Sequence, residues 1–122
     1  MSNILGVGID LCGIARMETL LADDRFLDRF FTDTEKVYIR GKGRAAAASM
    51  AGIWAAKEAF LKAAGTGLSI PMKDVGVTHT ALGQPVYALT GQASAVVAEG
   101  SVLLSITHED GTAAAVCIWQ SR

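Results

Sequence analysis

The chain has 122 residues, of which 51% are hydrophobic, and its formal net charge is -1. This length predicts a single domain, 1–122, and the near-neutral charge argues against a nucleic-acid partner. The apolar fraction is high for a domain without a long apolar run, which favours burial of surface against further copies of the chain. The N-terminus lacks the basic and apolar regions of a signal peptide, so we expect no membrane association.

Both cysteines, Cys12 and Cys117, lie in apolar stretches. Two cysteines are too few for a disulfide framework, and their spacing does not match a metal site. We therefore predict two reduced core residues in a cytoplasmic protein.

The first part of the chain predicts a strand and then a helix. Residues 4–11 are apolar with interspersed glycines, which indicates a buried strand that Asp10 helps to close. An amphipathic helix over 14–21 follows, with Arg16 near its start.

Two further short helices are predicted next. Asp23 opens the first, whose phenylalanines face inward while Arg25 and Arg29, four residues apart, face outward. Residues 32–35 then have the Thr-x-x-Glu pattern of a capping box, which predicts the start of a helix through 36–39.

The central element is a predicted helix over 45–64, rich in alanine and free of proline. Gly-Thr-Gly at 65–67 is typical of a helix end. The helical period gathers an apolar face with Lys57 in its middle, and places Glu58 and Lys62 one turn apart along its border.

The remaining chain predicts strands with one more helix. The predicted elements are a strand over 75–79, a turn over 82–85, a strand over 86–89, a helix over 92–98, and paired strands over 102–107 and 113–119 joined by a turn over 108–111. The order strand–helices–strands–helix–strands predicts an α+β fold.

A set of residues in these elements has the chemistry needed to handle a diphosphate. Asp10 and Glu58 offer hard oxygen ligands to Mg²⁺, which usually takes one or two carboxylates and completes its shell with water and phosphate. Lys57 and Lys62 offer point charges to phosphate, and the glycines of 65–67 allow close backbone approach.

Each of these residues also has an ordinary structural interpretation. Asp10 could be a turn residue, and Glu58 and Lys62 could form an exposed i,i+4 ion pair of about 0.3–0.5 kcal/mol. Lys57 could extend past the core to solvent. The combination, rather than any single residue, favours the functional interpretation.

Several motifs in register resemble those of the 4′-phosphopantetheinyl transferases, and in particular the short trimeric type. The matching segments are Gly8-Ile9-Asp10, Ile14-Ala15-Arg16, Phe31-Thr32-x-x-Glu35, Trp54-x-x-Lys57-Glu58-Ala59-x-x-Lys62, Gly65-Thr66-Gly67, Gly83-Gln84-Pro85, Ser105-Ile106-Thr107-His108 and Ala113 to Val116. The resemblance thus runs from residue 8 to residue 116.

The resemblance implies transfer of the phosphopantetheine arm of coenzyme A to a serine of acyl carrier protein. The resemblance also implies release of adenosine 3′,5′-bisphosphate, a requirement for Mg²⁺ and a role in fatty acid biosynthesis. The implied catalytic residues are Asp10, Glu58, Lys62 and His108, with the first two as metal ligands. Glu58 or a water on the metal could take the serine proton, and the sequence leaves both open.

The resemblance also implies the contacts of the substrates. Lys62 would contact the phosphates or assist proton transfer at the leaving phosphate, and Gly83, Gln84, Pro85, Thr107 and His108 would line the nucleotide end. Lys57 and the Gly65-Thr66-Gly67 turn are the further phosphate contacts that the residue chemistry predicts. Arg16, Arg25 and Arg29 would dock the acidic carrier protein. Family members form ring trimers with sites between neighbours, which agrees with the high apolar fraction.

Three positions depart from the family pattern. Gly13 stands where a Glu is common, Ile53 where an Arg often precedes the aromatic residue, and Gln84 where Lys is usual. The last two remove cations from the expected nucleotide surface, and Lys42 or Arg44 could compensate. Two other functions stay open: a transferase acting on carrier domains of polyketide or peptide synthases, and a docking module without activity.

Overall fold

The computed structural model describes residues 3–122 and has the predicted α+β architecture. Its elements are β1 (Ile4–Gly13), α1 (Ile14–Leu20), α2 (Asp24–Phe30), α3 (Asp33–Arg40), α4 (Ala46–Ala64), β2 (Val75–His79), β3 (Pro85–Leu89), α5 (Gly91–Val96), β4 (Gly100–Glu109) and β5 (Thr112–Ser121). The predicted order of strands and helices is confirmed, with ends that shift by a few residues.

Two antiparallel sheets form the β part of the fold. The larger has the order β1-β5-β4, so the first strand pairs with the last, and the smaller pairs β2 with β3. A two-residue turn at Asp110 and Gly111, both with positive φ, joins β4 to β5 as Asp-Gly turns commonly do. The predicted turn over 108–111 was therefore too long, because His108 lies within β4 opposite Ala113.

Helix α4 is buried on nearly all sides, rather than along one apolar face as predicted. It packs on the inner face of the larger sheet, and Gly6 and Gly8 of β1 permit that contact. A Cβ at Gly8 would collide with the backbone carbonyl of Ala59. The glycines of the first strand are thus required by the close packing of strand on helix.

The capping box predicted for residues 32–35 is confirmed. The Thr32 hydroxyl accepts from the Glu35 amide at 3.1 Å, and the Glu35 carboxylate accepts from the Thr32 amide at 2.8 Å. Both cysteines are buried and free, as predicted.

The outer face of the larger sheet is apolar and uncovered in the single chain. Val7, Ile9 and Leu11 of β1 are 60%, 63% and 68% exposed, and they lie beside Ile118, Val116 and Ala114 of β5. Over residues 3–122, no helix has the length and apolar character needed to cross a membrane.

Candidate active site

Asp10 and Lys62 meet where β1 crosses the C-terminal half of α4. The Lys62 ammonium donates to the Asp10 carboxylate at 2.8 Å and to the Ile9 carbonyl at 2.9 Å. This contact raises the pKa of Lys62. The side chain of Lys62 is 56% exposed, so its charge faces solvent beside the carboxylate.

Glu58 lies one turn before Lys62 and is partly buried. Burial raises the pKa of Glu58, and the negative charge of Asp10 raises it further. Arg16 and Lys62 oppose this shift. The Trp54 indole N–H lies near Glu58 and also lowers its pKa. Within residues 3–122, however, this N–H has no acceptor at hydrogen-bond geometry. Asp10 and Glu58 are therefore close enough to repel each other.

The two carboxylates suit a divalent cation whose other ligands are water and phosphate oxygens. Across the described chain, no three His, Cys, Asp or Glu side chains converge as a metal cage. Asp10 and Glu58 are still two hard oxygen donors whose repulsion a cation would relieve. Mg²⁺ commonly completes its shell with water and phosphate oxygens, so two protein ligands are enough.

The Gly-Thr-Gly turn lies next to these residues. Gly65 ends α4 in the left-handed conformation with φ +71, and Gly67 has φ +57. Both line a cavity together with Glu58 and Lys62. The backbone of this turn is thus open to a ligand at the carboxylate pair.

Lys57 does not belong to this surface, and its predicted phosphate contact is wrong. Its side chain is 0% exposed, and its ammonium forms an ion pair of 2.8 Å with the equally buried Glu35. Burial lowers the pKa of Lys57, and the Glu35 carboxylate offsets part of that effect. The lysine points from α4 toward α3 and β2, away from Glu58, because successive helix residues are about 100° apart.

A second cavity of about 240 Å³ lies toward the N-terminal half of α4. Gly83, Pro85 and His108 line it, as does Ile53 at one of the positions that depart from the family pattern. These predicted nucleotide-end residues are therefore brought together.

Two other residues predicted for the nucleotide end do not line this cavity. Thr107 precedes His108 in β4, so its side chain points to the opposite face of the sheet, where it lies beside Ile9 and Val116. The side chain of Gln84 is exposed in the turn between β2 and β3.

The cavity has an aromatic wall that sequence reasoning missed. Tyr38 of α3 stacks on His79 of β2 with ring centroids 3.9 Å apart, and the Lys42 ammonium lies 4.6 Å from the Tyr38 ring. His79 and His108 are the only histidines of the sequence, and both line this cavity. The scarcity of histidine in the sequence was a signal that pointed to His79 and His108. The Tyr38–His79 stack itself has no local sequence pattern, because it joins segments that are distant along the chain.

The carboxylate surface and the nucleotide-end cavity are separate within one chain. The cavities that include Asp10, Glu58 or Lys62 share no lining residue with the cavity of Gly83 and His108. One chain thus presents two half-sites.

The three arginines predicted for docking are exposed. The Arg16 guanidinium lies 5.9 Å from the Trp54 ring, and Arg29 lines a groove that also includes Glu58. Neither Arg25 nor Arg29 forms an ion pair with any residue of the described range 3–122.

The sequence and the fold both match one known class of protein. The profile of the 4′-phosphopantetheinyl transferase superfamily matches residues 6–117. The chain therefore belongs to this superfamily, and the resemblance inferred from its motifs is confirmed.

Individual relatives are similar over nearly their whole length. A holo-[acyl-carrier-protein] synthase of Treponema denticola is 46% identical over 119 residues, covering 94% of this chain and 97% of that protein. A crystal structure of a holo-(acyl-carrier-protein) synthase from Bacillus anthracis in complex with CoA (3′,5′-ADP) has a TM-score of 0.82 and 34% identity, with 98% of each chain covered. The synthase of Helicobacter pylori in complex with coenzyme A has a TM-score of 0.81 and 30% identity, covering 93% of this chain and 98% of that one.

Proposed function

We propose that this chain catalyses the Mg²⁺-dependent transfer of 4′-phosphopantetheine from coenzyme A to a serine of apo acyl carrier protein, in support of fatty acid biosynthesis. The observation that carries the proposal is the placement of Asp10, Glu58 and Lys62 on one surface, with the Lys62 ammonium 2.8 Å from Asp10. The identity to holo-[acyl-carrier-protein] synthases supports the choice of carrier and of coenzyme A as donor.

The reaction needs charge neutralisation and a proton acceptor more than it needs covalent catalysis. The serine oxygen bonds to the phosphorus that carries pantetheine, and the bridging oxygen leaves with its electron pair as adenosine 3′,5′-bisphosphate. Mg²⁺, held by Asp10 and Glu58 and by phosphate oxygens, would supply charge neutralisation and alignment.

The protein residues have distinct tasks in this reaction. We assign the serine proton to Glu58, whose carboxylate lines the same cavity as Lys62 and Gly65. Lys62 offers its exposed ammonium to the phosphates, and the open backbone of Gly65 and Gly67 allows them to approach. His108, with the turn at Gly83 and Pro85, binds the nucleotide end.

We further propose that the chain acts as a ring trimer with sites between neighbours. The uncovered apolar face around Val7, Ile9 and Leu11 supports burial against other copies, because such a face is costly in water. The two half-sites support it as well, since a head-to-tail ring joins the different surfaces of adjacent copies.

Two simpler expectations remain part of the proposal. The core cluster formed within residues 3–122 supports the proposal that the whole chain, 1–122, acts as one domain. Two buried free cysteines, Cys12 and Cys117, support a location in the reducing cytoplasm.

Mass spectrometry of apo acyl carrier protein, incubated with coenzyme A and Mg²⁺, tests the function. We expect a gain of one phosphopantetheine, and a loss of rate by about two orders of magnitude or more in Asp10→Ala and Glu58→Gln. Circular dichroism of both variants serves as the control for folding. A wild-type rate in Glu58→Gln would contradict its role.

The same assay separates the alternatives. A faster gain of mass on a carrier domain of a polyketide or peptide synthase would identify that domain, rather than acyl carrier protein, as the substrate. No gain on any carrier would indicate a docking module instead of an enzyme.

A further inference from the structure

Glu35 and Lys57 form an ion pair that is closed to solvent and has no part in the proposed reaction. The Lys57 ammonium lies 2.8 Å from the Glu35 carboxylate, and both side chains are 0% exposed. The ammonium also lies 5.5 Å from the Phe31 ring. A pair this deep usually adds little net stability over an apolar pair of similar volume.

The pair is bound to the backbone at both ends. The Lys57 ammonium donates to the carbonyls of Met72 and Val75, each at 2.9 Å. The second oxygen of Glu35 accepts from the Val77 amide at 2.8 Å. An ammonium has three donors, and all three have acceptors here. The pair thus connects α3, α4 and the chain from Met72 to Val77.

The part of the chain that it holds has little regular structure. Between the end of α4 and the start of β2 lie only short 3-10 turns at Gly67–Ser69 and Met72–Asp74. This segment forms one wall of a groove of about 550 Å³, in which Ile70, Pro71 and Met72 line the same space as Glu58. The backbone carbonyl of a wall residue is therefore bonded directly to the neighbour of Glu58 in α4.

We propose that the Glu35–Lys57 pair is a positioning device for the reaction, which holds the wall of Ile70 to Met72 at the separation from Glu58 that the incoming serine requires. The inference rests on the proposed function of Glu58. Apolar residues would fill the same volume but would leave the Val75 carbonyl and the Val77 amide without partners, and the Met72 carbonyl with only the Val75 amide. The pair thus acts through the position of the groove wall and contacts no reacting atom.

Kinetics of Lys57→Met, measured on the full chain below its unfolding temperature, tests the proposal. We expect kcat/KM for carrier protein to fall about 10- to 100-fold, as displacements of about 1 Å at an active site do. The KM for coenzyme A should stay nearly unchanged, because the nucleotide-end cavity shares no lining residue with the groove. Leu104→Ala is the matched control: it removes a packed side chain of β4 that lines none of the cavities around Glu58.

The control separates positioning from mere loss of stability. The Leu104→Ala variant, destabilised but folded, should keep the wild-type kcat/KM for carrier protein. If Lys57→Met also keeps the wild-type kcat/KM, the positioning role is wrong. A wild-type chain without any transfer would instead reject the proposed function.

Amide hydrogen exchange decides the structural part, whatever the kinetics. In the wild type, the Val77 amide should exchange as slowly as the amides of α4, and rapid exchange there would overturn the proposal. In the double variant Glu35→Gln with Lys57→Met, which buries no lone charge, exchange over 66–75 should rise while the β4–β5 hairpin stays protected. Unchanged exchange over 66–75 would equally overturn it.

Discussion

Glu58 reduces the stability of the free protein when it is ionised. Burial and the charge of Asp10 raise its pKa in the fold. A group whose folded pKa exceeds its unfolded pKa stabilises the fold fully below the unfolded value, and this contribution is lost as pH rises through the folded value. Ionisation of the Glu58 carboxyl, as pH rises through its raised pKa, therefore lowers the free energy of unfolding.

Glu58→Gln should consequently unfold at a higher temperature than the wild type near neutral pH, even as it loses activity. The difference should shrink as pH falls toward the ordinary pKa of glutamate, about 4.3, because the raised pKa of Glu58 protonates the wild-type carboxyl before that pH is reached. Calorimetry across this pH range measures it. Glu109→Gln, which alters an exposed carboxylate of β4, should show no such gain. Equal unfolding temperatures of Glu58→Gln and wild type at neutral pH would contradict the account.

We propose Arg16 as the arginine that meets the acidic carrier protein, because it is exposed and lies near both Trp54 and Glu58. Arg16→Ala should raise the KM for carrier protein and leave the KM for coenzyme A nearly unchanged. Exposed charges at an interface mainly set encounter rates, so the variant's rate should also depend less on salt.

The matched control for that experiment is Arg40→Ala, which removes an exposed arginine that pairs with Asp24 at 3.5 Å. This change should leave both KM values unaltered. If Arg16→Ala weakened only coenzyme A binding, the arginine would belong to the nucleotide site instead.

At the scale of elements, the contact between β1 and α4 sets the position of Asp10 relative to Lys62. The strand approaches the helix so closely that a Cβ at Gly6 or Gly8 would meet carbonyls of the helix backbone. A backbone atom cannot move aside as the end of a flexible side chain can. An added Cβ would therefore force β1 and α4 apart.

Gly8→Ala should therefore lower the free energy of unfolding by about 1–3 kcal/mol or more, as overpacking does. Gly13→Ala, in the same strand, is the control, because nothing lies within 4 Å of its added Cβ. Its effect should stay within about 0.5 kcal/mol. Urea titrations compare the two, and equal stabilities would show that the strand does not lie as close to the helix as described.

Local patterns predicted the elements well, whereas contacts between distant segments escaped them. The capping box at Thr32 and the start of α1 at Ile14 follow from neighbouring residues. The burial of Lys57 does not, because it depends on Glu35 and on carbonyls 15 and 18 residues away along the chain. His108 was placed in a turn because a two-residue Asp-Gly turn allows both strands to extend further than the apolar pattern indicates.

At the scale of the whole molecule, the predicted site residues divide into two groups. The motifs indicated Asp10, Glu58 and Lys62 together with His108 as one set, and the fold places His108 in a separate cavity. A single sequence could not reveal this division, since it depends on which half of α4 each strand crosses. The uncovered sheet face beside Ile9 supplies a surface through which another copy could bring the halves together.

Mixing two inactive variants tests most directly whether those half-sites combine into a transferase site. Asp10→Ala and His108→Ala chains are mixed in equal amounts, refolded together, and assayed by mass spectrometry with apo acyl carrier protein, coenzyme A and Mg²⁺. In a ring with random assembly, about one interface in four joins an intact Asp10 to an intact His108. We therefore expect about a quarter of the wild-type rate, with light scattering showing a trimer. A rate no higher than that of the separate variants, in a mixture shown by native mass spectrometry to contain mixed trimers, would contradict the account.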